Sequence, residues 1–224
     1  MATANRFTFT LRRTLAHAAF AFSLALPAAG AFAATTDAQF QSAFQTFQAA
    51  QKGDSGARDR AADQFNDLLK ADPGQPMLMA YAGAATALKA RGSFLPWKKI
   101  GYAEDGLAQI DKALALLQPA HDGVMLNRSP VSLQTRFTAA SSFLAMPAFF
   151  NRGTRGAKLL ADVQASPLLA QASPSFQGAV LMLAAQQAAK EFRTAEARRD
   201  LNDVIARGLP QADAAKAALL ELPQ

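Results

Sequence analysis

Side chains able to carry acid–base or nucleophilic chemistry are sparse in this chain of 224 residues. Cysteine is absent, so the chain can form no thiolate nucleophile, disulfide framework or Cys-ligated metal site. Of two histidines, His17 lies in an N-terminal segment read below as removed, which leaves His121 in a loop close to Pro119. A lone loop imidazole with no evident partner reads as a solvent-exposed residue rather than as a general acid or base. A metal site would then have to be built from carboxylates alone, and His121-Asp122-Gly123 does not match the spaced acidic loop that calcium prefers. Glu104 and Asp105 are adjacent on an expected helix and point in different directions, which argues against shared acid–base work. No Gly-x-Ser-x-Gly elbow occurs, and Gly153-Thr154-Arg155-Gly156 lacks both the spacing and the lysine of a phosphate loop. The expectation is a non-catalytic protein without cofactor or metal.

Two clusters suit binding instead. Arg91, Trp97, Lys98 and Lys99 combine the chain's only tryptophan with three cations at an expected helix–helix junction. Phe149, Phe150, Arg152 and Arg155 place aromatic and cationic groups beside Pro147. Either could anchor an acidic or aromatic-bearing peptide, since Trp and Arg dominate interface hot spots. Each has a plainer reading too. Trp97 falls on an apolar helix stripe and would then be core, while Phe149 and Phe150 would pack under their loop with Arg152 capping a helix end.

The N-terminus sets the compartment in which these groups are expected to act. Arg6, Arg12 and Arg13 precede an apolar run over residues 15–26, Pro27 breaks it, and Ala31-Phe32-Ala33 offers a small-x-small cleavage site. That order reads as a cleavable Sec-type signal peptide over residues 1–33, with cleavage between Ala33 and Ala34 and a periplasmic destination. The run is too short to span a bilayer, which takes about 20 residues, so no stable membrane span is expected after cleavage. Removing residues 1–33 takes three Arg from 23 basic residues, leaving 20 against 17 acidic, so the net charge falls from +6 to +3. A mildly basic, mixed surface gives no reason to expect nucleic acid, which calls for a concentrated basic stripe.

The elements that must position the clusters are helical. Phe40, Phe44 and Phe47 recur at helical spacing after Thr36 or Asp37 as N-cap, and the helix stops at Gly53-Asp54. Residues 55–71 form a second helix that ends at Asp72-Pro73-Gly74, because the residue before proline avoids helical geometry. A third starts near Pro76. A fourth opens with Pro96 at its first position and carries Trp97, Ile100, Leu107, Ile110, Leu114 and Leu117. Residues 120–129 read as a loop. Further helices follow Pro130, Thr154 and Ser173-Pro174, then one capped by Thr194, then a short one over residues 212–222. No stretch alternates as a strand would, so the class is all-α with about nine helices.

The pattern Ala61-x3-Phe65-x2-Leu68-Leu69-x2-Asp72-Pro73 is similar to the second helix of a tetratricopeptide (TPR) repeat. A weaker copy sits at Gly106-x3-Ile110-x2-Ala113-Leu114 before Pro119, and Tyr81-Ala82-Gly83-Ala84 looks like the small-residue crossing of a first helix. The resemblance covers residues 37–119; the repeat's characteristic Trp and Gly are missing from 37–52. With Trp97-Lys98-Lys99 and Pro147-Ala148-Phe149-Phe150-Asn151-Arg152, the chain also resembles exported bacterial TPR-like proteins of unassigned activity. The resemblance implies a single domain over residues 34–224, a TPR-like α-α superhelix of stacked antiparallel helix pairs that binds a protein or peptide partner in the cell envelope. The competing expectations are a helical enzyme with a site of Asp, Glu, Lys and Ser, a structural oligomer, and a binder of small molecules.

Overall fold

The computed structural model describes residues 37–223, so the expected signal segment 1–33, the expected cleavage site and Thr36 lie outside the described residues. The described residues, 37–223, belong to one compact unit. Among the described residues the fold is all-α. Nine helices run α1 (Asp37–Gln51), α2 (Ser55–Ala71), α3 (Pro76–Lys89), α4 (Pro96–Ala115), α5 (Val131–Leu144), α6 (Gly153–Gln164), α7 (Pro174–Lys190), α8 (Thr194–Ala206) and α9 (Ala212–Glu221).

Local chemistry explains most of the boundaries. The Asp54 carboxylate accepts the Ala57 amide at 3.0 Å and caps α2. Ser173 accepts the Phe176 amide at 3.3 Å and caps α7, with Pro174 at the first helical position. Pro96 starts α4 in the same way, although Leu95 before it offers no capping side chain. One expectation fails here. Thr194 is the first residue of α8, and the capping position falls to Arg193, whose side chain caps nothing.

α3 is apolar on every side, and it is buried on nearly all of them. It lies against α2, α4 and α5. Beside it Phe40, Phe47 and Phe65 gather around Tyr81, with the Phe65 ring stacked on the tyrosine at 5.0 Å and Phe40 edge-on at 5.2 Å. Ala61, fully buried on α2, keeps the helix spacing short next to these rings. A second apolar cluster joins Leu133, Leu160, Val163 and Val180 of α5, α6 and α7. A third joins Leu181, Leu201, Val204 and Ala215 of α7, α8 and α9.

The stretch expected as loop over 120–129 holds more structure than its composition suggests. A 3-10 turn (Pro119–Asp122) leads into a two-residue ribbon of β1 (Met125–Leu126) and β2 (Ser129–Pro130), with Asn127 and Arg128 both at positive φ in its turn. Buried Gln134 on α5 holds the ribbon by donating to the Leu126 carbonyl at 2.6 Å and the Ser129 carbonyl at 2.9 Å. The tie is tertiary, so no local signal announced it.

Candidate functional site

α4 is longer than the helix that covers it. The Lys89 ammonium, at the last residue of α3, stands 5.2 Å from the centre of the Tyr102 ring on α4. α3 therefore ends level with Tyr102, and residues 96–101 extend past it. That geometry corrects the reading of Trp97 as core. The side chain continues the apolar stripe of α4, yet it is 67% exposed, and Ile100 one turn later is 46% exposed. A periodic stripe identifies a face, and only the neighbouring helix decides how much of it is covered.

Below this projection lies a cavity of about 560 Å³. Phe47 of α1 and Leu88 of α3 contribute bulk, whereas Ala84, Ala87 and Ala103 leave room between α3 and α4. Ser141 and Ser142 bring the wall of α5, and Ala145, Met146 and Phe150 close it from the connection to α6. Arg91, from the 3-10 turn Ala90–Gly92, and Lys99 are the charged residues of the lining. No carboxylate among the described residues pairs with either of them or with Lys98.

The fold thus unites the two clusters that the sequence placed some fifty residues apart. Arg91, Lys99, Phe149 and Phe150 share one cavity. Phe150 is half-buried against the first core cluster, but Phe149 is 73% exposed, which corrects the expectation that both pack beneath the loop. Asn151, at positive φ, closes the 3-10 turn that holds the two rings 4.4 Å apart. Trp97 and Lys98 stand outside the lining, on the exposed projection above it.

Arg152 and Arg155 take a different position. Both reach Asp111 on α4, Arg152 through a 2.8 Å ion pair, and both guanidinium groups lie over the Phe143 ring at 5.3 and 5.2 Å. Arg152 does not cap a helix C-terminus. It stands at the N-terminal boundary of α6, where the helix dipole disfavours a cation, and Asp111 supplies the compensating charge. The pair ties α4 to α6 beneath the cavity wall.

Sequence reasoning missed Phe47, Ala84, Ala87, Ser142 and Met146 as lining residues. Alanines on an almost fully buried helix carry no sign that they face a void. The arrangement as a whole can bind an apolar group of modest size and attract a negative charge next to it. Among the described residues no group of three or more His, Asp or Glu side chains is placed to hold a metal ion, and no helix is long and apolar enough to cross a membrane. Comparison of the chain with family models, curated proteins and solved structures finds no significant match.

Proposed function

We propose that this is a non-catalytic binding protein of the cell envelope, an adaptor or assembly factor that holds an apolar segment of a partner protein or peptide in the cavity between α1, α3, α4 and α5. The observation that carries this reading is the convergence of Arg91, Lys99, Phe149 and Phe150 on that cavity. An aliphatic or aromatic side chain of the partner fills the space beside Phe47 and Met146. An acidic residue next to it meets Arg91 and Lys99, which have no carboxylate of their own. Stacked helix pairs of the tetratricopeptide kind suit this work because they present rigid concave surfaces between helices. Export by the segment 1–33 puts the partner in the periplasm.

The test is a crosslinking pull-down from envelope extract with residues 34–224 as bait, alongside Ala145→Trp, which plugs the cavity from an exposed position. A partner enriched by the parent and lost by Ala145→Trp is the expected result. Equal enrichment by both would remove the cavity from the function.

A second reading has its own observation. A volume of about 560 Å³ falls within the range of small-molecule sites. Native mass spectrometry of the purified protein decides between the two. A bound small molecule that disappears in Ala145→Trp favours this reading over the protein partner.

A further inference from the structure

The projecting end of α4 carries features that the cavity does not use. Phe94 is 97% exposed, Trp97 follows three residues later, and Leu95, Pro96, Lys98 and Lys99 between and beside them are all exposed. Phe94, Leu95, Trp97 and Lys98 are not part of the cavity lining. Exposed apolar residues are ordinary when scattered, and they call for a partner when contiguous on a projection.

Along the chain the charge around them is one-sided, and the nearby Asp59 of α2 is taken up by Lys89 at 3.0 Å. No Asp or Glu occurs in residues 90–103, nor in residues 123–161, which include α5, the connection bearing Phe149, and most of α6. Lys98 and Lys99 occupy the first turn of α4, where the helix dipole already supplies positive potential and where cations are disfavoured. Leu95 gives the first amides of α4 no side-chain acceptor. Arg91 adds a further cation from the preceding turn. An external anion would relieve each of these conditions at once. Aromatic rings beside lysines on a projecting helix end match the chemistry of a membrane interface, where rings sit at headgroup depth and lysines meet anionic lipid.

We propose that the α3–α4 junction docks this protein on an anionic lipid bilayer. Phe94 and Trp97 enter the interface, and Arg91, Lys98 and Lys99 contact the headgroups. Phe149, exposed and part of the cavity lining, adds a third aromatic ring to the same surface. The cavity, whose lining includes the exposed residues Pro96, Lys99 and Phe149, then lies close to the membrane. This docking shares Arg91, Lys99 and Phe149 with the cavity lining, and what is its own are Phe94, Leu95, Trp97 and Lys98; it does not require the cavity to be filled.

Sedimentation with vesicles of phosphatidylglycerol and phosphatidylcholine tests it, using residues 34–224, which include all of the compact unit's described residues and lack the apolar N-terminal run. The protein should pellet with mixed vesicles and not with phosphatidylcholine alone, and binding should weaken as salt rises. Each of Lys98→Ala and Lys99→Ala should weaken binding about fivefold. Phe94→Asp should do so at least as strongly, and emission from Trp97 should shift to the blue on binding. All three substitutions fall at exposed positions, and circular dichroism checks that the fold is kept. Ala145→Trp should bind vesicles normally, which separates this proposal from the cavity reading. Failure to pellet with mixed vesicles overturns the proposal, as does binding that these substitutions leave unchanged. A Trp97 shift caused by an acidic peptide, with vesicles inert, overturns it in favour of a protein-docking face.

Discussion

Gly83 of α3 and Gly106 of α4 face each other with no room for a side chain on either. A Cβ on Gly83 would lie 2.6 Å from the Gly106 carbonyl oxygen, and one on Gly106 would run into Ala87 and the Gly83 carbonyl. Because the obstruction is backbone, no rotamer change relieves it. Gly83→Ala and Gly106→Ala should each destabilise the protein by about 1–3 kcal/mol, as overpacking does. Urea unfolding followed by circular dichroism measures the loss. A midpoint unchanged in both variants would show that the crossing is looser than described.

Tyr81 predicts an alkaline limit to stability. Its phenol is buried among Phe40, Phe47 and Phe65, and burial pushes its pKa up to about 12 from an ordinary 10.0. Below pH 10 the phenol is protonated in both folded and unfolded chains and contributes no pH dependence. Above that, the unfolded tyrosine ionises while the folded one does not. Stability should therefore fall as pH rises from 10 towards 12. Replacing Tyr81 by Phe should flatten this part of the profile in thermal melts at stepped pH, and an equally steep decline in the variant would assign it elsewhere.

Gln134 joins the ribbon to α5. Gln134→Leu would leave the Leu126 and Ser129 carbonyls without their side-chain donor. A loss of about 1–3 kcal/mol is expected, the cost of unsatisfied buried polar groups. Hydrogen exchange at the amides of residues 125–130 should speed up more than exchange in α7 or α8. Uniform acceleration would mean global rather than local loosening.

Asp111 is the shared partner of Arg152 and Arg155, and all three side chains are partly exposed. The tie is accordingly modest. Asp111→Ala should cost about 1 kcal/mol, and the difference should shrink at high salt. A double-mutant cycle with Arg152→Ala reads the coupling directly. Absence of coupling would leave stacking on Phe143 as the sole role of the two guanidinium groups.

Trp97 is the chain's only tryptophan, so its fluorescence reports one place. Its exposure predicts long-wavelength emission and ready quenching by iodide in the free protein. Emission typical of an apolar site, insensitive to iodide, would place Trp97 back in the core.

The all-α class and most helix boundaries were legible because they depend on residues close in sequence. Asp54, Pro96 and Ser173-Pro174 mark helix starts with their own side chains or rings, and α2 spans the residues its pattern predicted. Gly83 and Gly106 were readable as close-approach positions, since small residues at helical spacing admit a neighbour. Thr194 shows the limit of such signals: a residue competent to cap occupies the first turn instead. The site was legible in part. Both clusters were visible as unusual combinations of aromatic and cationic residues, but nothing local said that residues 91–99 and 147–150 would meet.

The amino-acid sequence by itself determined where helices form, which faces are apolar, and that cysteine is missing. These follow from propensity, capping and periodicity, which act within a few turns of chain. Tertiary structure decided coverage. α3 stops level with Tyr102 and leaves Trp97 in solvent, alanines on buried α3 border a cavity, and Asp111 takes up Arg152 and Arg155. Coverage depends on where a neighbouring helix ends and on which small residues face one another, and both are properties of pairs of elements distant in sequence.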